Sequence, residues 1–590
     1  MTNKREQGAH FFLQSVEPSA IFTPEDFNDE HKMIAKTTLD FVKNEVTPHI
    51  EQLEHQDFEL TVKLLKEAGD LGLLAADVPE DCEGLDMDKV SSSLIGENMS
   101  RSSSFSLSHG AHVGIGTLPI VYFGNDAQKK KYLPDLATGR RFAAYALTEP
   151  NAGSDALSAR TTAKLSADGK HYVLNGQKQY ITNSAFADVF VVYAKIDGEH
   201  FSAFIVEKNY PGVSTGPEEK KMGIKASSTR PLILEDAMVP VENLLGEPGR
   251  GHVIAFNILN VGRHKLAVGC VGAAKEALEA SLQYATTREQ FGRTIASFPL
   301  IQSKLADMAV KTYVTETIAY RTAGAMDQAF AAVGSSEPGA PQSKVKAIEE
   351  FAIECSINKV FGSEALSFVA DEGVQIHGGA GFIQDYPLER IYRDARINRI
   401  FEGTNEINRL LIPGTLLRRA LKGEIALMPA IGKMQQELMG MIDPPDESTP
   451  FAVETFIVEM LRKMVLFVGG TAAQKYGQKI DQEQEVLAYL ADLAIVLYAS
   501  ESVLLRAQKA KQSGATHADL QGLMAKLFIV TSYEQAGQWV KLAINAMEDG
   551  DELRTLLSVS RKLSKNLPFN AVKVRRAIAK QILEAKRYLA

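Results

Sequence analysis

The sequence predicts an α+β chain, mainly α, in which a helical domain leads into a central β-domain, a second helical domain and a further helical module. Three observations carry this. Apolar residues recur at helical spacing towards both ends of the chain. Short β-rich runs punctuated by turn dipeptides occupy residues 161–241. A polar break, DPPDESTP at 443–450, sets off the last stretch as if across a linker. With 590 residues, three or four domains are expected at roughly 100–200 residues each.

The elements follow in order. Ala35, Leu39, Val42 and Val46 are spaced by four, three and four behind the helix-start residues Thr23, Pro24 and Glu25, and Pro48 ends or kinks that helix. Leu64, Leu65, Leu71, Leu73 and Leu74 continue the helical texture, giving a first domain over 25–145. HYVLNG, KQYITNS, DVFVVYAKI, HFSAFIVEK and RPLILEDAMVP then read as strands of a small antiparallel barrel or sandwich over 146–247. Asp168-Gly169, Asn175-Gly176 and Asp197-Gly198 read as their turns. Helix returns in Val253–Ala285, Pro299–Ala332 and Gln342–Ala370, within a domain spanning 248–420, with VGSSEPGAPQ at 333–342 as a loop. Residues 421–590 hold the linker and a last helical domain large enough for a core of its own.

Composition narrows the function. Hydrophobic residues make up 45% and charged residues 23% of the chain, as in an ordinary globular protein. Mean hydropathy is -0.10, and no run approaches the ~20 unbroken apolar residues of a bilayer span. The start, MTNKREQGAHFFLQSVEPSA, has no apolar core of signal-peptide length, so a cytoplasmic protein is expected. Cys82, Cys270 and Cys355 are odd in number and far apart, which fits a reducing compartment without disulfides or a CxxC site. A net charge of -9 makes nucleic acid an unfavoured partner.

Generic motifs are missing: there is no GxGxxG between strand and helix, no P-loop and no HExxH. His109 and His112 are the nearest approach to a metal pair, with no third ligand, so no metal is expected. Three segments carry chemistry instead. Tyr145-Ala-Leu-Thr-Glu-Pro-Asn-Ala-Gly-Ser-Asp155 is rich in small residues and hydroxyls, suited to close approach of a polyoxygenated ligand. Gln375-Ile-His-Gly-Gly-Ala-Gly381 offers glycine amides that can face a pyrophosphate. Arg399-Ile-Phe-Glu-Gly-Thr-Asn-Glu406 sets one carboxylate between an aromatic residue and a glycine.

Together with the YIT of KQYITNS, KMGIKASSTR and TTREQFG, and in this order, these segments resemble the flavin-dependent acyl-CoA dehydrogenase family over about residues 25–420. The added C-terminal module and KMGIKAS resemble its very-long-chain branch. The resemblance implies an N-terminal helical domain, a β-domain, a four-helix bundle, and FAD as cofactor. It implies α,β-dehydrogenation of a fatty acyl-CoA to the trans-2-enoyl-CoA, the first step of fatty acid β-oxidation. A base takes the α-proton while the β-hydrogen leaves as hydride to flavin N5, and electrons pass on to an electron-transfer flavoprotein.

Residue by residue, Glu402 matches the family's catalytic glutamate, and desolvation beside Phe401 is expected to raise its pKa. The family's other location for a base corresponds to Asn260-Val261-Gly262-Arg263, which holds no carboxylate. Thr148 and Thr182 correspond to hydroxyls that bond the isoalloxazine. Tyr180 stands where an aromatic, often Trp, is usual, and Tyr145, Leu147, Gly153, Ser154 and Ile181 complete that flavin side. Arg288, Gln290 and Phe291 resemble a segment that reaches the FAD of a neighbouring subunit, which implies a homo-oligomer, with a dimer favoured. Gln375, Gly378 and Gly379 would take the pyrophosphate, and Thr404, Asn405 and Glu406 would lie along the cofactor. Ser154, Asn260, Arg263, Phe401 and Gly403 match substrate-side positions, Ser154 and Arg263 near the pantetheine or phosphate of CoA. Arg230 suits either a ligand or a strand-end ion pair.

Residues 561–590 carry nine Lys or Arg and one acid. Val574, Ile578, Ile582, Ala585 and Leu589 form an apolar stripe there, which fits the inner face of a packed helix or a peripheral membrane contact. An acyl-CoA oxidase using oxygen and a non-catalytic assembly member of the family are the competing readings.

Overall fold

The computed structural model describes residues 5–333, 340–440, 442–446 and 448–590. The first domain is built from short capped helices, among them α1 (Asp29–Phe41), α2 (Phe58–Asp70), α3 (Lys89–Met99) and α4 (Asp126–Ala137). Asn28 and Asn125 each accept from the N–H three residues on, which satisfies donors that a helix start leaves free. α1 ends at Phe41 and the chain passes Pro48 through a tighter turn, as the proline requires. Leu71, Leu73 and Leu74 lie beyond α2 in a turn rather than in helix.

Strands β1 (Ala143–Ala146), β2 (Thr162–Leu165), β3 (His171–Thr182), β4 (Val189–Ile196), β5 (His200–Glu207), β6 (Val213–Thr215), β7 (Thr229–Pro240) and β8 (Leu244–Leu245) form one sheet, ordered β6-β7-β3-β2-β4-β5-β8 with β1 beside β4. The sheet is mixed, not purely antiparallel: β4 runs parallel to both β1 and β2. Asn175-Gly176 is not a hairpin turn. HYVLNG and KQYITNS are one twelve-residue strand, and the pair marks a register shift against β7. Asp168-Gly169 and Asp197-Gly198 do reverse the chain, with Gly169, Asp197 and Gly198 at positive φ.

The second helical domain contains α5 (Gly251–Thr287), α6 (Pro299–Val333), α7 (Ala352–His377) and α8 (Asn405–Leu421). The segment expected as one helix from Gln342 is broken at Phe351, between a helix starting at Ala340 and α7. The loop expected at 333–342 lies largely outside the described residues.

The last helices, α9 (Ala452–Tyr476), α10 (Gln484–Ser513), α11 (Ala518–Met547) and α12 (Ala571–Ala585), have no core of their own. Their apolar faces merge with those of α5 to α8 in one continuous cluster. α10 is long and apolar enough to cross a membrane by length and composition, but 83% of that window is buried in protein. Ile578 and Ile582 of the basic stripe are fully buried, with Val574 and Leu589 packed against the same core, so its apolar face points inward.

The residues ahead of α1, most of them N-terminal to the first expected domain, lace this assembly together. Phe11 and Phe12 join the shared core. The Arg321 guanidinium of α6 reaches Glu501 of α10 at 2.7 Å, and Nε meets Glu6 at 2.9 Å. Arg506 of α10 pairs with Glu25 and with Glu316 of α6. Such buried pairs contribute through complete hydrogen bonding; breaking one would leave a buried charge alone.

Candidate active site

The turn between Arg399 and α8 carries Glu402. Glu402 sits at φ 58° and Gly403 at φ 79°, so a left-handed turn swings the carboxyl inward. A non-glycine residue there costs on the order of 1 kcal/mol and persists only where its neighbours hold it. They do so through the carbonyls. Arg263 Nε donates to the Glu402 carbonyl at 3.2 Å. Lys359 Nζ and Asn408 Nδ2 donate to the Gly403 carbonyl at 2.7 and 2.9 Å. Thr404 then caps α8, accepting from the Ile407 N–H.

The Glu402 carboxyl itself has little support. Its Oε2 is buried without a hydrogen-bond partner. Burial pushes its pKa up to about 7, against the pull of the Arg263 and Lys359 charges. Gly262 of α5 makes room for it: a Cβ there would lie 2.6 Å from Oε2. The stretch Asn260–Arg263, which holds no acid, thus supplies the space the acid of another element occupies.

Glu402 lies on the wall of a cavity of about 490 Å³ between the first domain and α5. Phe401, Thr182, Leu107, Val113, Ile391 and Leu266 are among its lining residues. Along α5 the lining runs from Gly262 to Glu276, a rise of about 21 Å at 1.5 Å per residue. Asp77 and Lys265, paired at 2.6 Å, place charge on this mostly apolar wall.

Sequence reasoning places some residues together and misplaces others. The Gln179 N–H donates to the Thr148 carbonyl at 2.8 Å, which brings Thr148 beside Tyr180, Ile181 and Thr182. Ile181 is buried, whereas Tyr180, at φ 60°, is 64% exposed and presents a free aromatic face. Leu147 is buried, and Gly153 and Ser154 lie on the exposed part of the same loop. Tyr145 lies on β1. Its ring packs edge-on against Tyr193, and its buried hydroxyl has no partner and feels the charges of Glu402 and Arg263.

A second group gathers at the far end of α5, outside the cavity. Tyr284 stacks on His377 at 4.2 Å, which sets Arg288 and the hairpin β9 (Glu289–Gln290) and β10 (Arg293–Thr294) near Gln375, Gly378 and Gly379. Arg288, Gln290, Gln375, Gly378 and Gly379 are exposed, and Phe291 is 92% so. Nothing lies within 4 Å of where a Cβ on Gly378 or Gly379 would sit. Bare amides beside an arginine fit a diphosphate, and an exposed aromatic beside two threonines fits a flat polar ring system, so the residues present suit FAD.

Three assignments need correction. Arg263 is not at a cavity mouth: it is 7% exposed and spends its guanidinium on the Glu402 carbonyl and the Asn260 Oδ1. Asn260 thus orients Arg263 through its Oδ1. Asn405 does not face a cofactor, because its buried amide is shared among Lys359, Ser363 and Glu364. Arg230 takes the bland option, pairing with Glu218. His109 and His112 bond backbone carbonyls of Leu73 and Leu136, and burial lowers each pKa to about 4. Lys359 was missed. Its only signal is a lone lysine in the apolar run Ile357–Phe361 of α7.

Comparison with known proteins identifies the family. The chain matches the profiles described as acyl-CoA dehydrogenase N-terminal domain over residues 28–140, middle domain over 144–237 and C-terminal domain over 249–417, with a further acyl-CoA dehydrogenase C-terminal domain over 460–562. It is 55% identical over 584 residues to a probable acyl-CoA dehydrogenase of Bacillus subtilis, covering 99% of this chain and 98% of that one. It is 36% identical over 546 residues to the human mitochondrial very long-chain specific acyl-CoA dehydrogenase, covering 86% and 76%. A crystal structure of an acyl-CoA dehydrogenase complexed with FAD from Bacillus anthracis superposes with a TM-score of 0.98 at 57% identity, covering 99% of this chain and 100% of that one. The chain belongs to the acyl-CoA dehydrogenase family, with all of its domains and the C-terminal extension found in very-long-chain members.

Proposed function

We propose that this enzyme dehydrogenates long-chain acyl-CoA thioesters at the α,β position, with FAD as cofactor and Glu402 as the base. The observation that carries the reading is an unpartnered carboxylate on the wall of an apolar cavity. An α-proton beside a thioester is weakly acidic, so its removal needs a base raised towards neutral pH and kept from water. Glu402 meets both needs. The Cα–H pair becomes the Cα–Cβ double bond as the proton passes to Glu402 Oε2 and the β-hydrogen departs with its electrons. FAD, when bound, supplies the acceptor for that hydride.

The chain's own residues do the rest. Gly262 leaves space for the carboxyl, and Arg263 and Asn408 fix the carbonyls of its turn. The Glu402 N–H is the candidate donor to the thioester oxygen. Thr148, Tyr180 and Thr182 would hold the flavin ring, and Gly378, Gly379 and Arg288 the diphosphate. Since those two groups lie apart, the cofactor is best completed by a second copy of the chain. The length of the cavity along α5 supports a long acyl chain, and the electron acceptor is read as an electron-transfer flavoprotein. Anaerobic titration with acyl-CoAs of graded length, followed by flavin absorbance, tests the reading. Bleaching that strengthens towards palmitoyl-CoA is expected. No bleaching at any length would refute it, and peroxide formation in air without an acceptor would instead indicate an oxidase.

A further inference from the structure

We propose that the C-terminal module braces the base-bearing turn through one line of side chains, Asp492–Arg409–Glu364–Asn405–Lys359, in which Lys359 is the positioning residue for Glu402. This rests on the reading of Glu402 as the base. The line is unbroken. On α10, Asp492 Oδ1 accepts from Arg409 Nε of α8 at 2.8 Å. The same guanidinium grips Glu364 of α7 through both terminal nitrogens, at 2.7 and 3.1 Å. Glu364 Oε1 accepts from Asn405 Nδ2 at 3.0 Å, and Asn405 Oδ1 accepts from Lys359 Nζ at 2.7 Å. Lys359 Nζ ends the line on the Gly403 carbonyl, also at 2.7 Å.

The physical motive lies in the turn. Glu402 and Gly403 are both left-handed, and a strained turn stays in place only if its surroundings over-determine it. Arg263 and Asn408 fix it from within the bundle. Among the described residues, Lys359 is the one cation that both holds the turn and is itself anchored, through Asn405, to a residue of the added module. Its burial lowers its pKa to about 8, and its charge in turn lowers that of Glu402. The other groups facing Glu402 are Arg263 of α5 and Tyr145 of β1. Cys270 and Glu406 face Lys359, and Cys355 faces Arg263. Asp77 and Lys265, on the same cavity wall, satisfy each other. The module thus contributes to the chemistry without carrying any residue that touches substrate.

The test uses the full-length, FAD-loaded protein and two readouts. Hydrogen exchange reports the turn directly: Asp492→Ala should speed exchange of the amides of residues 402–408 by about tenfold, with the centre of α5 unchanged. The pH midpoint of anaerobic flavin reduction by palmitoyl-CoA reports the charge. Lys359→Met should move it up by about one unit, and Lys359→Arg should restore it. If Lys359→Met fails to fold, Asn405→Ser cuts the same line while keeping the charge, and is read by faster exchange at 402–408, whose absence would overturn the positioning role. Unchanged exchange at 402–408 in Asp492→Ala would overturn the brace. A slowed but folded Lys359→Met with an unmoved midpoint would overturn the positioning role. Wild-type protein that no acyl-CoA bleaches would refute the proposed function instead, leaving the exchange experiment to judge the brace alone.

Discussion

The base-bearing turn and the glycine-rich end of the bundle are built on opposite plans. At the turn, every carbonyl that orients Glu402 is held by a residue of the same chain, and the holders, Arg263, Lys359 and Asn408, are buried in α5, α7 and α8. At the far end of α5, Arg288, Gln290, Phe291, Gly378 and Gly379 stand in the open with their faces unfilled. The first region is complete in one chain. The second is built to receive something, and the proposed reading supplies it: a diphosphate and a second copy. Damage to the first should therefore change rates regardless of protein concentration, and damage to the second should change cofactor retention in a concentration-dependent way.

The largest effect expected is that of Glu402→Gln. It should retain FAD and bind acyl-CoA, but flavin reduction in stopped flow should fall by about 10²–10⁴, the usual contribution of a general base. A variant within about tenfold of wild type would place the base elsewhere. The same substitution also reads the burial of charge. The carboxyl titrates near 7 when folded, against a reference of 4.5. Burial therefore costs stability progressively as pH rises from about 4.5 to about 7, and costs none below the unfolded value. The melting temperature of Glu402→Gln should gain on wild type between pH 5 and pH 8.

Gly262→Ala tests the space rather than the group. A methyl 2.6 Å from Oε2 must displace the carboxyl. A displacement of about 1 Å costs on the order of 10²-fold in rate, while cofactor content should stay normal. Arg288→Ala belongs to the other plan. FAD should dissociate more readily by about 1.5–3 kcal/mol, measured as flavin lost in gel filtration, and the loss should worsen on dilution. Loss that is independent of protein concentration would break the contrast between the two regions. Phe291→Ser should have the smallest effect. If a second copy covers that ring, sedimentation should show dimerisation weakened by about 1–2 kcal/mol with the rate per bound flavin unchanged.

Much of this was legible in the sequence. The α–β–α order could be read because it depends on local residue types, whereas the roles given to Glu402 and the glycine-rich edge rest on the family resemblance. What could not be read depends on contacts between distant segments. Asn175-Gly176 has the chemistry of a turn, yet pairing with β7 absorbs it as a register shift within β3. Arg263 looked like a ligand-facing cation because no sequence feature tells whether an arginine on a long helix points out or spends itself on the carbonyl of Glu402. The last helices looked like an independent module because their amphipathic stripes are compatible with any apolar partner. Only packing shows that the partner is the bundle, with Phe11 and Phe12 from the other end of the chain in the same core.

The central claim is that Glu402, raised to about 7 by burial, is the base. The most direct test is the pH dependence of anaerobic flavin reduction by palmitoyl-CoA, as kcat/KM, in wild type and Glu402→Asp. The base acts only when deprotonated, so the wild-type rate should rise with pH through a midpoint near 7 and then level off. The shorter acid should lower the plateau and shift the midpoint. A wild-type rate that is flat from pH 5 to 9, or a midpoint unmoved in Glu402→Asp, would contradict the assignment.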